Sequence, residues 1–409
     1  MKKLLVISVV VLLVCLNIPN LIAKNVISSN VSFLENPSAS NKNILFDLEI
    51  KTMMRLAHYR SLSACIIKNN TIVWSKGYGF SDKLFLQKSS DDTIYMAGSI
   101  SKVITATALM QLYENGSYNF NLDDNVSKWL PFDLKNPNYP NINITFRMLL
   151  AHQSSLHDHN VSTPELLSNL PYSYVEKLLV PGNERYNPAY WADYQPGEKG
   201  NYSNLGYILL GYIIERMTNM SFEQYCQDNI FKPLEMYNSS FNLSKLNKLN
   251  LAAPYIWKDF FIRDRKYDSN FIDPCGGLYT TVNDLSHLLV AHLNGGVYKN
   301  VRILQKSTLD MMHKIQYPDS NRLDGIFYYG LGWMIWPNQN NEPTMMGHEG
   351  DLPGYHTRMH VRVSDNVSII YFFNNDIYPR FLMPKLSSKI IGFWINQIED
   401  MLFQKADEL

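Results

Sequence analysis

Four cysteines in 409 residues leave little for a disulfide framework. Cys15 lies inside an apolar N-terminal run, and Cys65, Cys226 and Cys275 are far apart and odd in number. One bridge among them is allowed, and the fold has to stand on its core. No Cys-x-x-Cys and no His-Glu-x-x-His is present, so the usual metal signatures are missing. Net charge is missing too: 37 Lys and Arg balance 37 Asp and Glu. Such a chain carries no electrostatic footprint for nucleic acid. The apolar run Leu4–Leu16 is thirteen residues, too short to span a bilayer comfortably. Behind Lys2 and Lys3 it reads as a secretory signal. Ala23 is a candidate cleavage site, although Leu21 two residues before it is not small. The expectation is a signal over residues 1–23 and a Ser/Asn-rich linker over 24–43. That implies a secreted or periplasmic protein, with an uncleaved N-terminal membrane tether as the alternative.

What is present is a globular composition, 46% hydrophobic and 18% charged. The length fits two domains, or one large domain with an insertion. Tyrosine is abundant at 26 residues, which suits binding surfaces without naming a ligand. Asn-x-Ser/Thr sequons stand at Asn30, Asn69, Asn115, Asn125, Asn143, Asn160, Asn219, Asn238, Asn242 and Asn366. They mark surface sites in a secreted eukaryotic protein and are chance products of an Asn-rich chain in a bacterial one.

The stretch Thr93–Gly116 organises the chain. Ser99-Ile100-Ser101-Lys102 is a Ser-x-x-Lys, followed by Val103–Leu112, apolar almost all round. A helix of that kind is buried, and Asn115-Gly116 ends it. Ser99 then falls at a helix start with Lys102 on the same face. A desolvated ammonium gives up its proton more easily, and a neutral Lys beside Ser can act as its base. The plain alternative is a Ser cap followed by a snorkelling Lys. No Gly-x-Ser-x-Gly elbow surrounds Ser99, which argues against an α/β-hydrolase.

Along the chain, Ile44–Tyr59 has helical periodicity. Ser63–Lys68 and Thr71–Ser75 flank Asn69-Asn70 as a hairpin that Gly77-Tyr78-Gly79 closes. Thr145 caps a helical turn running into Ala151–Leu156. Residues 157–200 are irregular and aromatic, either a cleft wall or a small helical subdomain. Helices are predicted at Leu205–Met217, Phe222–Ile230, Thr281–Asn294, Ser307–Ile315 and Lys385–Met401, with a polar loop over 242–270. Gly330–Trp336, Tyr355–Val363 and Val367–Phe373 read as strands. The fold class is therefore α+β: an antiparallel sheet built from both chain ends and flanked by helices, with a mainly helical region inserted at about residues 120–270.

Two further clusters carry chemistry. In Gln195–Asn204, Pro-Gly gives a turn and Tyr202 falls on a loop just before a buried helix. A Tyr beside an ammonium holds phenolate charge more easily, and Asn204 offers donor and acceptor to an amide-like group. The plain alternative is a buried Tyr and an Asn N-cap. In Gly347-His348-Glu349-Gly350-Asp351, glycines leading into a strand permit close backbone approach, and a strand edge can supply an oxyanion N–H. A cluster of His152, His157, Asp158 and His159 matches no metal spacing.

Together these clusters resemble the serine β-lactamase and penicillin-binding protein family, in its class C, DD-peptidase and esterase branch. That family orders Ser-x-x-Lys, Tyr-x-Asn and Lys/His-x-Gly, matched here by Ser99–Lys102, Tyr202–Asn204 and His348–Gly350. Leu149–Leu156 resembles LLTHTSGL, Ile230–Met236 resembles IFxPLGM, Pro274–Thr281 resembles PAGGLYST, and Tyr329–Trp333 resembles YGLGW. The likeness covers roughly residues 45–375. It implies a serine hydrolase domain over 44–409, working through an acyl-enzyme on Ser99. Lys102 and Tyr202 would be catalytic, Asn204, His348 and Gly350 would bind substrate, and the backbone of Ser99 and Asp351 would form the oxyanion hole. It implies no cofactor and no metal, and a small-molecule or peptide substrate. His348 replaces the Lys usual in β-lactamases of this class, Glu349 stands where the peptidases often place Thr, and Asp351 stands where Gly is common. Each favours an ester, or another substrate without an essential carboxylate, over a β-lactam or acyl-D-Ala-D-Ala. The competing readings are a DD-carboxypeptidase or β-lactamase, a penicillin-binding relative with little turnover, and a non-catalytic scaffold of the same fold.

Overall fold

The computed structural model describes residues 39–82, 86–158, 174–258, 261–264, 273–375 and 384–409. The expected signal, Asn30, Asn160 and His159 lie outside the described residues. Two compact units divide the chain, one ending at Thr52 and one running from Met53 to Leu409. The described part of the first is helical and belongs to α1, Ala39–Leu56. This helix begins inside the expected linker, because Lys42, Asn43 and Ile44 tolerate an exposed first turn.

In the second unit the strands are β1 Ser61–Lys68, β2 Thr71–Asp82, β3 Gln87–Lys88, β4 Tyr95–Met96, β5 Tyr255–Lys258, β6 Phe261–Asp264 and β7 Tyr279–Thr280. They continue with β8 Val297–Tyr298, β9 Val301–Arg302, β10 Tyr328–Tyr329, β11 Met334–Pro337, β12 Pro343–Leu352, β13 Tyr355–Arg362 and β14 Val367–Phe373. The helices are α2 Ser101–Glu114, α3 Phe146–Leu150, α4 Tyr174–Leu179, α5 Asn204–Thr218, α6 Phe222–Cys226, α7 Val282–Leu293, α8 Lys306–Met312 and α9 Pro384–Glu408.

Eight strands form one antiparallel sheet in the order β10-β11-β12-β13-β14-β1-β2-β3. Next to its centre β14 pairs with β1, Leu62 opposite Phe373 and Ile66 opposite Ile369, so both ends of the chain build it. The predicted hairpin does not stop at Gly77-Tyr78-Gly79. β2 runs through both glycines because a Cβ at Gly77 would strike the backbone of Ser89, and one at Gly79 the backbone of Arg60. The region between the sheet halves is mainly helical, as expected. The loop predicted over 242–270 holds a short ribbon, β5 paired with β6.

Two predictions fail around the third motif. Gly330–Trp336 is not one strand. Gly330 donates its N–H to the Trp333 carbonyl at 2.9 Å, and Gly332 has φ +82°. A Cβ at Gly332 would strike the Ala106 side chain, so this turn packs directly on α2. The third motif does not lead into a strand either. It is part of one, β12.

α2 is buried from Ser101 through Met110, and it anchors the main core with α5, α7 and the inner face of the sheet. Cys65, Cys226 and Cys275 are buried free thiols. No helix of the described residues is long and apolar enough to cross a membrane.

Candidate active site

Gly98 starts the site. With φ +57° it turns the chain so that a 3-10 turn, Gly98–Ile100, runs straight into α2. Ser99 therefore stands at a helix start, as the sequence predicts. The Ser101 hydroxyl donates to the Gly98 carbonyl at 2.6 Å and accepts the Leu278 N–H at 3.0 Å. Ala97 N–H donates to the Leu278 carbonyl at 2.7 Å, so the turn is pinned to the strand that follows Pro274–Gly277.

One helical turn on, Lys102 is fully buried. Its ammonium donates to Ser99 Oγ at 3.2 Å, Asn204 Oδ1 at 2.7 Å and the Cys275 carbonyl at 2.7 Å. Three protons meet three acceptors. Burial alone acts to lower this pKa, but Tyr202 and Cys275 outweigh it, and the net displacement is upward. Here the expectation from sequence is corrected: burial does not free the Lys102 proton, because Ser99, Asn204 and Cys275 supply acceptors for the ammonium.

Tyr202 stands beside both Lys102 and Ser99, each of which favours its phenolate. Lys102 Nζ lies 4.7 Å from its ring centroid. Burial pushes the phenol up, and Lys102 opposes that shift. Asn204 is the first residue of α5 rather than its cap. Ser203 is the cap, its hydroxyl accepting the Gly206 N–H at 3.2 Å. This leaves the Asn204 side chain free to face Lys102.

β12 closes the site from the other side. In the ribbon β12–β13, His348 is opposite Met359 and Gly350 opposite Thr357, while Glu349 is opposite Arg358 and Asp351 opposite His356. Alternation puts the first two pairs on one face and the last two on the other. Thr357 Oγ1 donates to the Ala97 carbonyl at 2.7 Å, so the first face is the one toward Ser99. Gly350 is a glycine for contact: a Cβ there would strike the Ala97 carbonyl oxygen. A Cβ on Gly98 would lie 3.4 Å from the Asp351 nitrogen. The Ser99 turn and the Asp351 amide are therefore neighbours. β11 pairs β12 only from Pro343 to Gly347, so β11 does not cover the edge from His348 onward.

His348 is buried, and its pKa is pushed down to about 3 by burial and then by Lys102. Its Nδ1 lies 2.7 Å from the Glu349 carbonyl and its Nε2 2.9 Å from the Tyr329 hydroxyl. A carbonyl only accepts, so Nδ1 carries the proton and Nε2 accepts from Tyr329. Glu349 points away, its carboxylate 3.4 Å from Arg358 Nε and 3.6 Å from His360 Nε2. Of the three departures in the third motif, His348, Glu349 and Asp351, only the His348 side chain faces Ser99.

Sequence reasoning missed two contributors. Tyr329 enters the site because the turn after it packs on α2. Asp158 caps α5, accepting the Asn204 N–H at 2.6 Å, the Leu205 N–H at 3.2 Å and the Ser203 hydroxyl at 3.0 Å. The signal for Asp158 was an acidic residue with no local partner. The described histidines of that cluster are engaged in other ways, His152 against Tyr202 and His157 through its N–H to the Tyr190 carbonyl at 2.8 Å. No group of three or more metal-ligating side chains occurs among the described residues.

The antiparallel sheet, its flanking helices and the half-buried Ser99 and Tyr202 around a buried Lys102 are features of the β-lactamase-fold serine hydrolase family. The chain belongs to the Beta-lactamase family, whose model matches residues 46–383. Protein flp of Staphylococcus aureus strain COL is 28% identical over 367 residues, covering 88% of this chain and 69% of that protein. Beta-lactamase-like protein 2 of Dictyostelium discoideum is 29% identical over 317 residues, covering 76% of this chain and 55% of that protein. Among solved structures, an octameric penicillin-binding protein homologue from Pyrococcus abyssi superposes with TM-score 0.69 at 27% identity, covering 84% of this chain and 75% of its own. A D-amino acid amidase from Ochrobactrum anthropi superposes with TM-score 0.64 at 21% identity, covering 87% of this chain and 99% of its own, and shares the fold.

Proposed function

We propose that this protein is a secreted serine hydrolase that cleaves an uncharged ester or amide through an acyl-enzyme on Ser99. The observation that carries the reading is Ser99 Oγ 3.2 Å from a fully buried Lys102, with the Tyr202 ring centroid 4.7 Å from that ammonium. In the reaction Ser99 Oγ bonds to the substrate carbonyl carbon while its proton passes to the Tyr202–Lys102 pair. The carbonyl oxygen becomes an oxyanion between the N–H groups of Ser99 and Asp351. The bond to the leaving group then breaks as that group takes the proton back from the pair. Water repeats the sequence and frees Ser99. Because Lys102 rests as an ammonium, the pair has to lose one proton before it can act, and the two groups titrate together.

The substrate class follows from His348. A neutral imidazole held by Tyr329 offers no cation to a carboxylate, which supports esters and simple amides over β-lactams. Secretion rests on Lys2, Lys3 and the apolar run Leu4–Leu16. A second reading, slow turnover after acylation, draws on the likeness to the Pyrococcus abyssi penicillin-binding protein homologue. A chromogenic ester separates the two: continuous turnover for a hydrolase, a burst of one equivalent for a slow acylator, no reaction for a scaffold. A fluorophosphonate probe should label the wild type and leave Ser99→Ala unlabelled. Labelling that survives the substitution sinks the assignment.

A further inference from the structure

We propose that His152 is a positioning residue that holds Tyr202 in place over Lys102. The inference rests on the reading of Ser99, Lys102 and Tyr202 as the reacting group. His152 lies just beyond α3 in the left-handed region, with φ +57°. From there it accepts the amide protons on both sides of Tyr202. Asn201 N–H donates to the His152 carbonyl at 2.8 Å, and Ser203 N–H donates to His152 Nδ1 at 3.0 Å. The ring itself stacks on Tyr202, centroids 4.4 Å apart and planes 25° from parallel. One residue therefore fixes Tyr202 by its ring and by both neighbouring peptide groups.

The contacts explain why a histidine suits the position. An amide N–H only donates, so Nδ1 is unprotonated and the neutral ring carries its proton on Nε2. Nε2 is buried with no hydrogen-bond partner among the described residues. The Tyr329 ring meets the imidazole at 83°, with centroids 4.4 Å apart. Tyr207 lies 5.1 Å from it, and Lys102 and His348 are its charged or chargeable neighbours. A protonated ring would lose the acceptor for Ser203 and set a second cation beside Lys102. Phenylalanine keeps the stack and loses the acceptor. Asparagine keeps an acceptor near Nδ1 and loses the stack. No side chain without both an aromatic face and a lone pair at that point makes both contacts.

The test compares His152→Phe and His152→Asn with wild type. Labelling with a fluorophosphonate counts the reactive Ser99, and turnover of p-nitrophenyl butyrate is expressed per labelled site. Each variant should lose at least ~10-fold in kcat per site while KM stays within about 3-fold, because only the placement of the proton-transfer group changes. The pH profile of kcat/KM should move in both. Added to Tyr202→Phe, either substitution should cost little more, since they act on one group. Wild-type kcat per site with an unchanged pH profile in both variants would overturn the proposal and leave His152 a fold residue. Histidine 15N spectra of the wild type decide the matter even if the variants do not fold. The neutral Nε2–H tautomer of His152 should persist from about pH 5.5 to 8. An Nδ1–H tautomer, or titration within that range, would also overturn it. A wild type that takes no label defeats the Ser99 reading instead, and the tautomer still judges His152.

Discussion

The two faces of the β12–β13 ribbon carry opposite chemistry. Toward Ser99 the ribbon presents His348, Gly350, Thr357 and Met359, all uncharged at neutral pH. Away from it lie Glu349, Asp351, Arg358, His356 and His360. Arg358 sits 3.2 Å from Asp351 and 3.4 Å from Glu349, and Glu399 of α9 meets His360 at 2.9 Å and Tyr371 at 2.6 Å. Burial would raise the Asp351 carboxyl, but Arg358 and His356 outweigh it and hold it well below the usual carboxylate range. One strand thus serves as a neutral wall on one side and as part of an ion network on the other. A residue type in the third motif cannot be assigned to substrate until its face is known. Changes on the near face should alter turnover, and changes on the far face should alter stability.

The largest effect belongs to the near side of the comparison. Tyr202→Phe keeps the ring and loses the acid–base group, and Lys102→Arg keeps the charge without a proton to share. Each should lower ester turnover at least ~100-fold with little change in thermal midpoint. Near-wild-type rates in either variant would break the assignment of reaction to this face.

Next comes the far face. Arg358→Met removes a buried guanidinium and leaves Glu349 and Asp351 without their shared partner. Breaking a buried pair costs about 3–5 kcal/mol. Asp351 is 41% exposed and Glu349 34%, so water offsets part of that, and about 2 kcal/mol is expected. Urea unfolding measures it. The comparison fails if stability holds while turnover per folded molecule drops more than a few-fold.

The difference between the faces also marks what could be read from sequence. Ser99, Lys102, Tyr202, Asn204 and His348 are local signals, carried by helix starts, turns and short motifs, and the structure brings all five together. The helix after Thr281 and the strand Val367–Phe373 were legible from periodicity. β12 was not, because Thr-Met-Met-Gly-His-Glu-Gly-Asp has two glycines and no aliphatic alternation. Its strand character comes from pairing along its length with β13. Asp158 was illegible as a cap for a similar reason, since the N–H groups it satisfies are 46 and 47 residues away. The upward displacement of Lys102 depends on Tyr202 and Cys275, far along the chain, which no local rule could supply.

A smaller effect comes from pH: rate and stability both fall toward acid, in separate windows. The Lys102–Tyr202 pair has to lose a proton to act, and both pKa values are displaced upward. The acid limb of kcat/KM should therefore climb about tenfold per pH unit from pH 7 into the alkaline range. A plateau reached at or below pH 6 would contradict it. The His348 pKa is displaced the other way, downward. Its folded pKa of about 3 lies below the ordinary 6.5, so the unfolded chain binds protons that the folded chain excludes. The stability it contributes is present above pH 6.5 and is lost as pH falls toward 3. His152 and His292 are lowered in the same direction by burial. Thermal midpoints should fall between pH 7 and 5, and less steeply in His348→Gln.

The smallest effect is the sharpest test of the two faces. On sequence grounds His348 and Glu349 both count against a carboxylate-bearing substrate. In the structure Glu349 leans on Arg358 and His360, on the side away from Ser99. Its carboxylate is directed away from Ser99 and is paired with a guanidinium. Glu349→Thr should therefore leave the ratio of kcat/KM for p-nitrophenyl butyrate over a chromogenic cephalosporin within about 3-fold of wild type. His348→Lys replaces a neutral ring on the near face with an ammonium, and it should shift that ratio toward the cephalosporin on its own. The double variant should then match His348→Lys within about 3-fold, since the Glu349 carboxylate points away from the substrate. If Glu349→Thr alone moves the ratio as far as His348→Lys, the far face reaches the substrate after all. The division between a neutral reacting wall and a charged supporting one would then have to be given up.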